Sequence, residues 1–166
     1  MRIFAVVLAI LVLAGCSSAA TRTGVEIEQK VDETSFISAK SEVVAISLPE
    51  ARKVMSEIKS CYDGYTRRVD VPGTMSNGVP MTKGSFVMEF KAEITNEDGR
   101  ERLVVWKQDH GVLQLTDKTR GFIVMSSTQL EAAGEGTKVT SHHVFQYGFI
   151  HDRLVQWMQG DTSKCF

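Results

Sequence analysis

The sequence predicts an α+β domain: an antiparallel sheet of about six or seven strands in a meander, packed on one face by two helices. Three observations carry this. From Thr82 to Phe149 apolar and polar residues alternate with a period of two, broken by turns rich in Gly, Asn and Asp, the pattern of hairpin-linked strands. Before this region Ala51, Val54, Met55, Ile58 and Cys61 recur at three- and four-residue spacing, the stripe of an amphipathic helix. After it Ile150, Leu154, Trp157 and Met158 repeat that spacing over a shorter span. A sheet with one apolar face must cover it, and these two helices are the cover at hand.

The chain opens with one charge, Arg2, then an unbroken apolar run from Ile3 to Leu13, then Ala14, Gly15 and Cys16. This is the layout of an export signal. The run is short of the about 20 apolar residues that a spanning helix needs. Leu13-Ala14-Gly15-Cys16 resembles the lipobox of bacterial lipoproteins, in which the Cys is lipidated and becomes the mature N-terminus. The resemblance implies a Cys16 carrying acyl chains, and two or more such chains give stable anchoring. Ser17 follows, not the Asp that in this family retains a lipoprotein in the inner membrane, so the resemblance implies the periplasmic side of the outer membrane if the cell has one, and the cell membrane if it has none. An ordinary signal cleaved after Ala20 is the alternative. The expected division is a signal peptide over 1–15, a lipidated N-terminus and tether over 16–24, and a single domain over 25–166.

Val25, Ile27 and Val31 alternate with charged residues, and a second extended candidate spans Phe36 to Ile46; one strand is expected here. Ser47-Leu48-Pro49-Glu50 starts a helix: Ser47 caps, Glu50 completes a capping box, and proline is tolerated in the first turn. Asp63-Gly64 ends it. Tyr65 to Val71 reads as a strand and Pro72 to Pro80 as a loop. Thr82 to Thr95 places Phe86, Met88, Phe90, Ala92 and Ile94 on one face. Asn96 to Gly99 turns the chain and Arg102 to Gln108 returns it. Asp109-His110-Gly111 turns again, Val112 to Leu115 is a short strand, and Asp117 to Gly121 is a further turn.

The clearest hairpin joins Phe122–Ala132 to Thr137–Phe149. Gly134-Glu135 suits a type II′ turn, which places glycine first. That register pairs Ala133 with Gly136, Leu130 with Val139, Thr128 with Ser141, Ser126 with His143, Val124 with Phe145 and Phe122 with Tyr147, and on the other face Glu131 with Lys138. A short helix over Ile150 to Met158 stops at Gly160. The succession of elements is similar to that of START-like helix-grip domains, and the resemblance implies an apolar ligand between sheet and helices.

With 43% hydrophobic residues and three prolines, the chain folds as a globule and not as a disordered tail. Its net charge of −1 becomes one unit more negative once Arg2 leaves, so no basic field exists to hold nucleic acid. If Cys16 is lipidated, Cys61 and Cys165 remain. In an oxidising compartment a disulfide is the natural reading. It would close a loop of about 100 residues, worth roughly 4 to 5 kcal/mol in the chain-entropy model. A metal or catalytic pair is the rival, without Cys-x-x-Cys spacing to support it.

The hairpin register gathers Ser126, Thr128, Ser141 and His143 at the polar centre of an apolar face. Such a centre bonds internally or meets water or a ligand. Two readings stand: a small ligand-binding pocket oriented by His143 and the hydroxyls, or a self-satisfied cluster. His142 and His143 are adjacent on a strand and point to opposite faces, so no metal site is expected. His151-Asp152 reads as local hydrogen bonding at a helix start. There is no Gly-x-Ser-x-Gly, His-Glu-x-x-His or phosphate-loop pattern, so no catalytic residue and no cofactor are expected. The leading reading is a membrane-anchored envelope lipoprotein acting as a non-enzymatic protein-interaction or envelope-assembly module. The alternative is a binder of an apolar small molecule or lipid near His143. An envelope hydrolase is the third reading, and it needs a carboxylate or second base beside His143.

Overall fold

The computed structural model describes residues 23–31, 36–71, 75–76, 79–80, 84–108, 121–163 and 165. The signal, Cys16, the expected strand Val112–Leu115 and the turns around it lie outside the described residues. Among those described, no helix is long and apolar enough to cross a membrane.

The elements in chain order are α1 (Gly24–Gln29), β1 (Ile37–Val44), α2 (Leu48–Tyr62), β2 (Thr66–Val71), β3 (Met75–Ser76), β4 (Val79–Pro80), β5 (Gly84–Glu97), β6 (Arg100–Gln108), β7 (Phe122–Ala133), β8 (Gly136–Val144), a 3-10 turn (Phe145–Tyr147) and α3 (Phe149–Met158). Six strands form one sheet in the order β1-β8-β7-β6-β5-β2, with every pair antiparallel. The fold is α+β, with a β5-β6-β7-β8 meander at its centre. The stretch expected as a loop after β2 holds a two-residue ribbon, Met75–Ser76 against Val79–Pro80.

Helix α2 begins where its capping box dictates: the Ser47 hydroxyl accepts from Glu50 N–H, and the Glu50 carboxylate accepts from Ser47 N–H at 3.0 Å. It ends at Asp63, followed by Gly64 at φ +73°. Ala51, Met55 and Ile58 are buried as the stripe predicts, and Tyr62 is buried with them. With α3 the helix covers one sheet face, over a core that includes Phe90, Ala92, Leu103, Val105, Val139, Ile150 and Leu154. A disulfide joins Cys61 at the end of α2 to Cys165, with Cα atoms 5.4 Å apart.

The opposite face is covered too. The one strand expected between Val25 and Ile46 is β1, Ile37–Val44, and the other candidate, Val25–Val31, overlaps the short helix α1, Gly24–Gln29, instead. Its N-terminus carries a second capping box, Thr23 with Glu26. A six-residue helix is marginal alone, so packing holds it: Ile27 is fully buried on Val104 and Val124. Gly24 makes the close approach possible. A Cβ there would stand 2.9 Å from Ser127 Oγ, 3.0 Å from Val104 Cγ2 and 3.1 Å from Arg102 Cδ. Gly24→Leu is therefore expected to lift α1 off the sheet and speed amide exchange over Gly24–Gln29. Unchanged exchange would show that the close approach does not seat the helix.

The β7–β8 hairpin turns at Gly134 (φ +62°), and its register runs from Ala133↔Gly136 to Ser126↔His143 as the sequence predicts. Beyond that point the expectation fails. Strand β8 stops at Val144, and Phe145–Tyr147 forms the 3-10 turn, so Val124 does not pair with Phe145, nor Phe122 with Tyr147. Against β6, Val105 faces Ser126 and Trp106 faces Val124, which leaves Met125 as an extra residue, a β-bulge. The bulge inverts the alternation. Met125 joins the α2–α3 core, whereas Val124 turns to α1.

Candidate functional site

Strands β7 and β8 bring together the four side chains the sequence singles out. Ser126, Thr128 and Ser141 are fully buried and His143 is 3% exposed. Helix α3 adds His151, also 3% exposed. The Thr128 and Ser141 hydroxyls lie 2.7 Å apart, and Ser141 Oγ is 2.8 Å from His151 Nδ1. In one arrangement Thr128 donates to Ser141, which donates to a bare Nδ1. In the other, Nδ1–H donates to Ser141, which donates to Thr128. Both satisfy the chain with neutral groups.

His143 Nδ1 donates to the Val144 carbonyl at 3.3 Å. In the neutral ring Nε2 is then a bare acceptor. That nitrogen and Ser126 Oγ are buried and have no hydrogen-bond partner among the described residues. Gly148, at the start of α3, permits the crowding: a Cβ there would lie 3.0 Å from His143 Cε1 and 3.4 Å from both His143 Nε2 and Lys40 Nζ. Lys40 binds both Asp152 oxygens, at 2.7 and 2.8 Å, at the half-exposed rim.

Burial pushes both buried histidines below 6.5. For His143 the Val144 carbonyl and Asp152 oppose the shift, and Lys40 adds to it; for His151 Asp152 opposes and Lys40 adds. The stability these groups contribute is present above the unfolded value near 6.5 and lost as pH falls below it and through the folded values. Urea titrations between pH 7.5 and 4.5, a window of about three units centred near the ordinary histidine value, are expected to show falling stability. A His143→Gln, His151→Gln variant is expected to show a shallower slope. An unchanged slope would refute the assignment.

The Ser141–His151 pair has nucleophile-and-base chemistry but not the setting. Both groups are buried, Ser141 is also engaged by Thr128, and the nearby Asp152 carboxylate is occupied by Lys40. Sequence reading assigns His151 to local hydrogen bonding at the helix start, but its Nδ1 reaches Ser141 on β8 instead. Its signal is its place one helical turn before Leu154 and two before Met158, both buried on α3.

A second polar cluster lies under α1, and sequence reading missed it entirely. Arg102, 2% exposed, donates from Nε to Glu28 Oε1 at 2.7 Å and from Nη2 to Oε2 at 3.1 Å. Its Nη1 donates to the carbonyls of Glu97 and Arg100. Ser127 Oγ donates to Glu28 at 2.8 Å. Burial alone would raise the Glu28 carboxyl; the bonds from Arg102, Gln129 and Ser127 outweigh it and hold it below 4.5. His142 faces this side, as alternation requires, and its Nδ1 is buried without a partner among the described residues. Beside the cluster is an open cleft of about 390 Å³ lined by Val25, Glu28, Gln29, Asp98, Arg100 and Arg102. Another, of about 380 Å³, lies near Arg52, Ile94 and Glu101. Neither is lined by His143 or Ser126. Among the described residues no group of three or more His, Cys, Asp or Glu side chains is placed to hold a metal ion.

No protein-family model matches the chain. No curated protein matches it in sequence. Among solved structures, the crystal structure of Ara h 8.0201 is similar over 75% of this chain and 90% of that one, at 11% identity and a TM-score of 0.35. A likeness at that score adds nothing to the reading of the site.

Proposed function

We propose that this chain is an envelope lipoprotein, fastened to the bilayer through a lipidated Cys16, whose α+β domain is a non-enzymatic interaction module. The lipobox-like Leu13-Ala14-Gly15-Cys16 carries the reading. The Cys61–Cys165 disulfide agrees with an oxidising compartment. The charged clefts around Arg52, Arg100 and Glu101 have the chemistry of a polar protein contact and not of a hydrocarbon pocket. Changing Cys16 to Ser is expected to yield an unlipidated product that leaves the membrane fraction. A variant that matures and fractionates unchanged would overturn the anchor. Envelope cross-linking followed by pull-down tests the module, and recovery of the chain alone, where control complexes are captured, would count against it.

One observation favours a second reading. Ser126 Oγ and His143 Nε2 are buried polar atoms without partners among the described residues, the kind of groups a small guest satisfies. Native mass spectrometry of the purified full chain would then show a co-purified mass that His143→Leu removes. Absence of any such mass would end this reading.

A further inference from the structure

Strand β1, Ile37–Val44, forms one edge of the six-stranded sheet, with β8 on its inner side. Among the described residues no strand lies beyond it. An edge strand turns alternate backbone N–H and C=O groups outward, a template for another strand. Proteins blunt such edges with proline, bulges, short length, a covering helix or loop, or charged side chains, lysine above all. None of the first three is present in β1. It is eight residues long, contains no proline, and pairs with β8 from Ile37↔Val144 to Val44↔Thr137 without a register shift.

Its one lysine is not isolated. Lys40 and Glu42 lie two residues apart and so share one side of the strand, with Ser41 between them. Ala39, Ser41 and Val43 share the other side, all exposed, and Val43 is 60% exposed, unusual for a valine in a strand. A lone lysine on an edge repels a second copy of itself. This pair does the reverse. When two β1 strands run antiparallel with Ser41 facing Ser41, each Lys40 faces the other chain's Glu42, and each Ala39 faces the other's Val43. Opposite charges and apolar groups placed directly across a ladder each contribute roughly 0.2 to 1 kcal/mol, on top of the new backbone bonds. Lys40 already holds Asp152 on its α3 side, but an ammonium has three donors and can serve both carboxylates.

We propose that the β1 edge is a self-association surface, and that its occupant is a second copy of this chain, added antiparallel about a two-fold axis at Ser41 to join two six-stranded sheets into one. Such an interface is isologous and closes at the dimer. The inference rests on the sheet edge and does not depend on the anchor.

The test is register-specific oxidative cross-linking of the full chain in whole cells, read on non-reducing gels. Ser41→Cys is expected to give a covalent dimer, because Ser41 faces itself. Ala39→Cys and Val43→Cys are each expected to stay monomeric alone and to cross-link when co-expressed. Adding Glu42→Lys to Ser41→Cys sets two lysines against each other and is expected to cut the yield about tenfold. Co-expression of that chain with one carrying Lys40→Glu and Ser41→Cys is expected to restore it. Cross-linking of Ser41→Cys to a product of another mass would show a different protein on the edge and overturn the proposal. So would the absence of any product, or equal dimer yields from Ala39→Cys and Val43→Cys alone and together.

Discussion

Replacing both Cys61 and Cys165 with alanine is expected to cost this domain about 2 to 5 kcal/mol of stability. The bridge spans a sequence separation of 104, so it removes much of the freedom of the unfolded chain. It also holds the chain after α3 to the last turn of α2, where Cys61 packs against the main core. For a domain of this size each kcal/mol shifts the midpoint of thermal unfolding by roughly 2 to 4 °C, so a fall on the order of 10 °C is expected. Calorimetry with and without reductant checks this. Reductant should lower the midpoint of the native chain and leave the double variant where it is. Equal midpoints for native and variant chains would show that the bridge stabilises nothing.

Glu28→Gln is expected to destabilise the fold by about 3 kcal/mol, the lower part of the range for breaking a buried ion pair. The reason is what remains. Arg102, buried to 2% exposure, loses the charge that neutralises it and one of its two side-chain acceptors, and the new amide N–H group is set against its own donors, while the Glu97 and Arg100 carbonyls remain. The adjoining cleft admits water, which places the cost at the lower end. Arg102→Met should cost a similar amount, by leaving Glu28 with Ser127 and Gln129 alone. The Glu28→Gln, Arg102→Met double variant has no stranded charge and should recover more than half of either loss. Urea unfolding of the three variants closes the cycle, and simple additivity would refute the coupling. The single Glu28→Gln change should also remove part of the acid sensitivity. A carboxyl held below 4.5 contributes stability that is present above that value and lost as pH falls through its folded value.

What was legible in the chain was local. The Ser47–Glu50 capping box started α2 where it stood, and Gly134-Glu135 set the hairpin register as far as Ser126 and His143. The candidate polar cluster came with that register. The missing parts depended on tertiary packing. Met125 carries no local mark of a bulge; its extra place appears only against β6. Helix α1 has a local mark as well. Thr23 and Glu26 form the same kind of capping box as Ser47 and Glu50, but Val25, Ile27 and Val31 alternate like a strand, and the helix is too short for its period to show. The continuous apolar run Leu103-Val104-Val105 was a further mark, since a strand buried on both faces need not alternate. Arg102 beside that run then had to be covered, and the cover was distant in sequence.

The sheet is thus a partition with an apolar cluster on each side, unequal in size and tied differently. The larger is stapled by a covalent link; the smaller is closed by one six-residue helix around Ile27. Loosening of that helix would wet Val104, Val124 and the Arg102 cluster while the stapled side stays shut.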